Sequence, residues 1–164
     1  MASPPRVCVT GGGGFVASWL VKLLLSRGYA VHATVRDPSH PKNAFLEQLD
    51  NASENLRLFK ADVLDYGTLT AAFAGCDGVF HPASPVPGDK MKDPEERGPD
   101  MINNKFWPLV DVGDVVHAML LAYEKAESSG RYICALDQMD IKNLVVFIKS
   151  MYPNYNYVDK QVPS

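Results

Sequence analysis

The sequence predicts an α/β protein: a parallel sheet with helices on both faces, left incomplete, plus a small C-terminal β-α-β remnant. Three observations predict it. Strand-like and helix-like stretches alternate from Arg6 to His81. A run of four glycines, Gly11 to Gly14, joins the first strand to the first helix. The alternation then breaks from Pro82 to Pro108, a stretch with six prolines and no periodic apolar pattern, which counts against a complete fold.

Each element has a local reason. Arg6 to Thr10 is a short apolar run suited to a buried strand. Ser18 to Ser26 reads as a helix ended by Arg27-Gly28, and Tyr29 to Val35 as a β-branched second strand. Pro41 to Leu49 is helix-like, with Ala44, Phe45 and Leu49 on one face. Leu56 to Ala61 alternates as a third strand, Tyr66 to Ala74 is a short helix closed by Gly75, and Gly78 to His81 is a fourth strand. Strands separated by helices of this length imply right-handed parallel crossovers, here in the order 3-2-1-4. Beyond residue 108, Leu109 to Val112 and Arg131 to Ala135 are expected strands flanking a helix from Asp114 to Ala126. This unit is expected to dock on the bare sheet edge. A last helix, Asp140 to Met151, carries Leu144, Val145, Phe147, Ile148 and Met151 on its apolar face. The expected division is a dinucleotide-binding region over 1–97 and a second region over 98–164.

Composition narrows the classes. The 164 residues are 46% hydrophobic and 21% charged, with a formal charge of −3, which fits a globular domain and argues against a nucleic-acid or anionic-membrane surface. Cys8, Cys76 and Cys134 form no CxxC pair, and their odd count suits a reducing compartment. No signal-peptide core follows Met1, and the apolar run from Trp19 is cut by Lys22, so the expectation is a soluble cytoplasmic chain. In that setting the Asn51-Ala52-Ser53 sequon has no glycosylating context.

The chemistry gathers at the carboxyl ends of the first four strands, where parallel sheets bind ligands. Gly11, Gly12, Gly13 and Gly14 with Phe15 and Val16 form a strand-to-helix turn. Gly11 makes the tight bend, Gly14 admits phosphate, and Ala17 lets the helix pack on the strand. The helix N-terminus then faces the pyrophosphate of a dinucleotide. A structural glycine-rich turn is the alternative. At the end of the second strand an acid would take ribose hydroxyls and an Arg a 2′-phosphate. This chain offers both Arg36 and Asp37, with Lys42 as a second cation. The bland reading is that Asp37-Pro38 begins a solvated turn and Arg36 is surface charge. Asp62 and Val63 follow the third strand; Asp62 suits either the adenine amino group or a helix cap. Pro82, Ala83 and Ser84 end the fourth strand and are candidates to line the groove, or to form a Pro-stiffened loop. His32 reads as a satisfied core or edge histidine. Asp111, Asp114 and His117 step by three and are better explained by capping and surface charge than by a metal.

These motifs together resemble the plant cinnamoyl-CoA reductase and dihydroflavonol reductase family, within the extended short-chain dehydrogenase/reductases of the epimerase/dehydratase type. The carriers are VTGGGGFVASWLVKLLLSRGY, ATVRDP with Lys42, LFKADVLDY and GVFHPASPV, in the family's order over the first 97 residues. NKFWPLVDVGDVVHAMLLAYEKAESSGRYIC resembles the family's substrate-domain region, and MYPNYNYVDK a segment near its end. The resemblance jumps between Arg97 and Gly98. The family segment that supplies two more sheet strands, the catalytic Ser and the Tyr-x-x-x-Lys helix has no counterpart here. The resemblance also marks Pro82, where the family has a non-proline apolar residue, and Gly113, where it has Arg.

The resemblance implies NADP(H) as cofactor and a phenylpropanoid thioester, aldehyde or flavonoid ketone as the parent substrate class. It also implies a truncated oxidoreductase impaired in hydride transfer. The seven tyrosines have Ala33, Thr70, Glu127, Leu136, Asn156, Asp159 and Gln161 four residues on, never Lys. Tyr157 precedes Lys160 by three in a Pro-flanked tail, and no His stands at suggestive spacing from Ser84. No catalytic residue and no metal ligand is therefore assigned. The alternatives are a regulatory protein that pairs with full-length relatives and a non-functional product.

Overall fold

The computed structural model describes residues 4–83, 106–135, 138–155 and 157. Strand β1 (Arg6–Val9) leads to helix α1 (Phe15–Ser26), β2 (Ala30–Val35), a 3₁₀ segment (Pro41–Gln48), α2 (Ala52–Asn55), β3 (Leu56–Lys60), α3 (Tyr66–Phe73) and β4 (Gly78–Phe80). The sheet order is β3-β2-β1-β4, all parallel, as the alternation predicts. Later come β5 (Phe106–Pro108), α4 (Val112–Glu124), β6 (Gln138–Asp140) and α5 (Ile141–Met151). The chain divides into two compact units: residues 1–85 with 112–130, and residues 86–111 with 131–164.

In the first unit the register sorts side chains between the two faces. Val7 pairs with Val31 and Val9 with Ala33 and Phe80, so these residues share one face. Helix α1 covers that face with Ala17, Leu20, Val21, Leu24 and Leu25, spaced at i, i+3, i+4, i+7 and i+8 and all buried. Each large apolar side chain buried this way contributes about 1.5–3 kcal/mol. Cys8 and its partner His32 face the other way, where α3 lies. His32 Nδ1 donates to the Ala72 carbonyl at 2.8 Å, and its ring tilts on Phe59 at 4.5 Å. His32 is thus a satisfied core histidine. Helix α1 stops where Gly28 takes φ +80°, with Tyr29 N–H bonded to Leu24 and Gly28 N–H to Leu25.

Helix α4 belongs to this unit, which departs from the expected boundary at residue 97. Val116 and Leu120 are buried in the same core as α1, Tyr29 hydroxyl donates to Glu124 at 3.0 Å, and Tyr123 packs on Phe80 at 5.1 Å. A Cβ on Gly78 would strike the Tyr123 ring, so that glycine admits the helix.

The expected β-α-β remnant does not form. Residues 109–111 and 131–135 take no regular structure, and the strands lie instead at β5 and β6, paired antiparallel in a two-stranded ribbon. Pro108 ends β5, where its missing N–H is tolerated on an edge. In the second unit Asp140 caps α5 by accepting from Asn143 N–H at 2.9 Å. The helix is amphipathic as expected, yet none of its residues is buried.

The helix-like stretch forms a 3₁₀ helix over Pro41–Gln48, with Pro41 in its first turn and His40 Nδ1 accepting from Lys42 N–H. Among the described residues, no helix is long and apolar enough to cross a membrane. Cys8 is buried, Cys76 half-buried and Cys134 exposed.

Candidate functional site

The glycine turn sits at the carboxyl end of β1, fastened from both neighbouring strands. Gly11 N–H donates to Thr34 Oγ1 at 3.1 Å and Gly12 N–H to Thr34 carbonyl at 2.8 Å. Thr10 N–H bonds Phe80 carbonyl at 3.0 Å. Thr10 Oγ1 lies 2.8 Å from His81 Nδ1 and accepts from Ala83 N–H at 3.4 Å. The turn closes with Gly14 N–H on Gly11 carbonyl at 2.8 Å.

Three of the glycines are required by geometry. Gly11 has φ +66°, and a Cβ there would stand 3.0 Å from Ala83 Cβ. A Cβ on Gly12 would stand 2.8 Å from Ala33 Cβ, and one on Gly13 would land on the Asn43 side-chain oxygen. The backbone is thereby held close against Ala83, Ala33 and Asn43 and is open where Gly14 and Phe15 are exposed.

That open side is the start of α1. Gly14 is the N-cap, no side chain caps it, and the first turn carries no acid. Phe15 is 71% exposed and Val16 half-buried, while Ala17 is buried against the sheet. The first amides of a helix have no acceptor within it and carry the positive end of its dipole. An anion is the natural partner for this arrangement.

The loop after β2 engages Asp37 locally. Asp37 Oδ1 accepts from both Ser39 N–H (3.0 Å) and Ser39 hydroxyl (2.7 Å), and these bonds hold its carboxyl below the usual range. Asp37 is engaged in its own turn, as its solvated-turn reading anticipated. Arg36 and Lys42 are exposed on either side of it. At the end of β3, exposed Asp62 accepts from Leu64 N–H at 3.0 Å, and Val63 is half-buried. Asp65, not Asp62, caps α3 through Gly67 N–H at 3.0 Å. Pro82 and Ala83 are half-buried at the end of β4, with Ala83 against Gly11; Ser84 lies outside the described residues.

The candidates from Gly11 to Val16 and at Ala83 thus meet at one end of the sheet. Thr10, Thr34 and Asn43 also build the site and were not singled out from sequence. Thr34 was legible as an inward alternate of His32, but nothing local marks Asn43. Tyr157 is engaged elsewhere, donating to Tyr152 carbonyl at 2.7 Å, and Lys160 lies outside the described residues. Among the described residues no group of His, Cys, Asp or Glu is placed to hold a metal.

A four-stranded parallel sheet with helices on both faces and a glycine turn into α1 defines a Rossmann-type α/β protein. The chain belongs to the NAD dependent epimerase/dehydratase family, whose profile matches residues 7–98. It is 56% identical over 100 residues to cinnamoyl-CoA reductase 1 of Petunia hybrida, covering 60% of this chain and 30% of that protein. It is 53% identical over 94 residues to dihydroflavonol 4-reductase of Gerbera hybrida, covering 57% of this chain and 25% of that one. The chain therefore matches about a third or less of the length of these relatives. Its fold is similar to that of vestitone reductase from alfalfa, with a TM-score of 0.73 at 22% identity over 92% of this chain and 83% of that one.

Proposed function

We propose that this chain binds NADP(H) and has lost the hydride-transfer activity of the reductases it is similar to. The observation that carries the binding half is the uncapped start of α1 beside a loop in which Asp37 is engaged by Ser39 while Arg36 and Lys42 stand exposed. The amides of Phe15 and Val16 would meet the pyrophosphate. Arg36 and Lys42 would meet a 2′-phosphate, Asp62 and Val63 the adenine, and Pro82, Ala83 and Ser84 the wall of the groove. The cradle fits such a group: Gly11 and Gly13 leave room for no side chain.

The bound dinucleotide supplies hydride. A carbonyl that receives hydride develops negative charge, and an acid must protonate it, a contribution typically worth about 10²–10⁴-fold. The chain has no Tyr-x-x-x-Lys pair to act as that acid. The relatives' names point to phenylpropanoid thioesters or flavonoid ketones as the ancestral substrate class, with an internal deletion after Arg97 removing the catalytic segment.

The test is NADPH and NADH titration of the purified chain, followed by near-UV circular dichroism and calorimetry, with Arg36→Ala beside the native protein. Arg36→Ala is expected to weaken NADPH about 10-fold or more, the scale of a charge-assisted hydrogen bond, and NADH far less. Equal losses for both cofactors reject the 2′-phosphate assignment. Turnover of cinnamoyl-CoA, a hydroxycinnamaldehyde or a dihydroflavonol above background rejects the inactive half, most clearly where Tyr157→Phe or Ser84→Ala abolishes it.

Pairing with a full-length relative is a second reading. It is supported by half-exposed Val79 on β4, which among the described residues pairs only with β1. Co-migration with a purified full-length reductase on size exclusion tests it.

A further inference from the structure

The 3₁₀ segment places one side chain beneath the whole anion site. Asn43 is 1% exposed, and its backbone N–H donates to His40 carbonyl at 2.9 Å. Its Nδ2 donates to Asp37 carbonyl at 2.8 Å. A carbonyl only accepts, so the amide nitrogen must point there and the oxygen must point the other way. That oxygen faces Gly13, where an added Cβ would overlap it. It has no hydrogen-bond partner and is the one such buried side-chain atom among the described residues.

A buried acceptor left without a donor is destabilising, and an apolar residue of the same shape would avoid it. Asn43 is therefore poorly explained as core filling. Its two arms reach the two halves of the site: the nitrogen bonds the Asp37 carbonyl, one residue beyond Arg36, and the oxygen stands against Gly13 of the glycine turn. Lys42 is its chain neighbour and is held by the same 3₁₀ turn. We propose that Asn43 is a positioning residue that locks the glycine turn to the Arg36–Lys42 loop, so that one side chain governs both pyrophosphate capture and 2′-phosphate selectivity. The inference rests on the NADP(H) reading above. It adds that the two subsites are mechanically one. A dinucleotide spans both, so its affinity depends on the distance between them as well as on the groups at each end.

The experiment is isothermal calorimetry of NADP⁺ and NAD⁺ against the full chain, with the melting midpoint of each free protein measured alongside. Asn43→Leu keeps the branching and the number of heavy atoms and removes both polar arms, and the midpoint reads what its larger volume costs the fold. The substitution is expected to weaken NADP⁺ at least about 10-fold and to bring the NADP⁺-to-NAD⁺ affinity ratio toward one, since 10-fold corresponds to the scale of one charge-assisted contact. Gly13→Ala is expected to weaken both dinucleotides by displacing Asn43. Adding Asn43→Ala to Gly13→Ala is expected to recover binding of NAD⁺ more than of NADP⁺, a coupling that two independent residues would not give. An unchanged affinity ratio in Asn43→Leu, with both dinucleotides falling only as the midpoint falls, assigns Asn43 a purely structural role and overturns the inference. A native chain that binds NAD⁺ and NADP⁺ equally overturns the selectivity half. A native chain that binds neither overturns the proposed function itself and the inference with it.

Discussion

Truncating Leu120 to Ala tests whether α4 is part of the first compact unit. Leu120 is 3% exposed and shares a core with Val116 and the buried face of α1. Ala is at least as good a helix former as Leu, so any loss comes from packing. Buried Leu→Ala substitutions cost about 2–5 kcal/mol, with the spread set by how far the cavity collapses. Helix α4 lies on one side of the unit and its neighbours have room to relax, so about 2–3 kcal/mol is expected. That lowers the thermal midpoint by about 10–20 °C for a unit of this size. Leu121 is the internal control, because it follows directly on the same helix and is 52% exposed. Leu121→Ala is expected to stay within about 0.5 kcal/mol. The assay is urea denaturation followed by circular dichroism at 222 nm. Equal, small effects from both substitutions would refute the docking of α4 on α1.

Three further outcomes are expected. Gly11→Ala forces a Cβ into a left-handed backbone, worth about 1–2 kcal/mol, and against Ala83, so it loses stability and dinucleotide binding together. Gly28→Ala meets the same kind of strain at φ +80° in open space, so thermal melting records a loss while titration records intact binding. With a thiol-reactive dye, exposed Cys134 labels fast and Cys8 labels only on unfolding, because burial pushes the Cys8 thiol up to about 12. The same shift carries a pH sign. A folded pKa above the unfolded value of about 8.5 favours the fold fully below that pH and is lost as pH rises toward 12, so Cys8→Ala flattens the alkaline decline in urea midpoint.

The parallel sheet and the glycine turn were legible in the residues alone. Those features are written in short-range chemistry. The crossover rule makes the units parallel and right-handed once strands and helices alternate, and Gly11 at φ +66° is what a tight strand-to-helix bend demands. The family was also legible, because spaced motifs survive in order. Tertiary structure alone decided three matters. The strands expected to flank α4 do not form, and its buried residues share a core with α1 instead. Residues 131–135 are β-prone locally yet form no strand, while β5 and β6 pair antiparallel, because strand formation requires a partner as well as propensity. The place of Asn43 under Gly13 follows from loop geometry in three dimensions, whereas the bond from Ser39 to Asp37 is a local turn. No spacing in the chain encodes that a side-chain oxygen six residues beyond Asp37 will come to rest against the turn that follows the first strand.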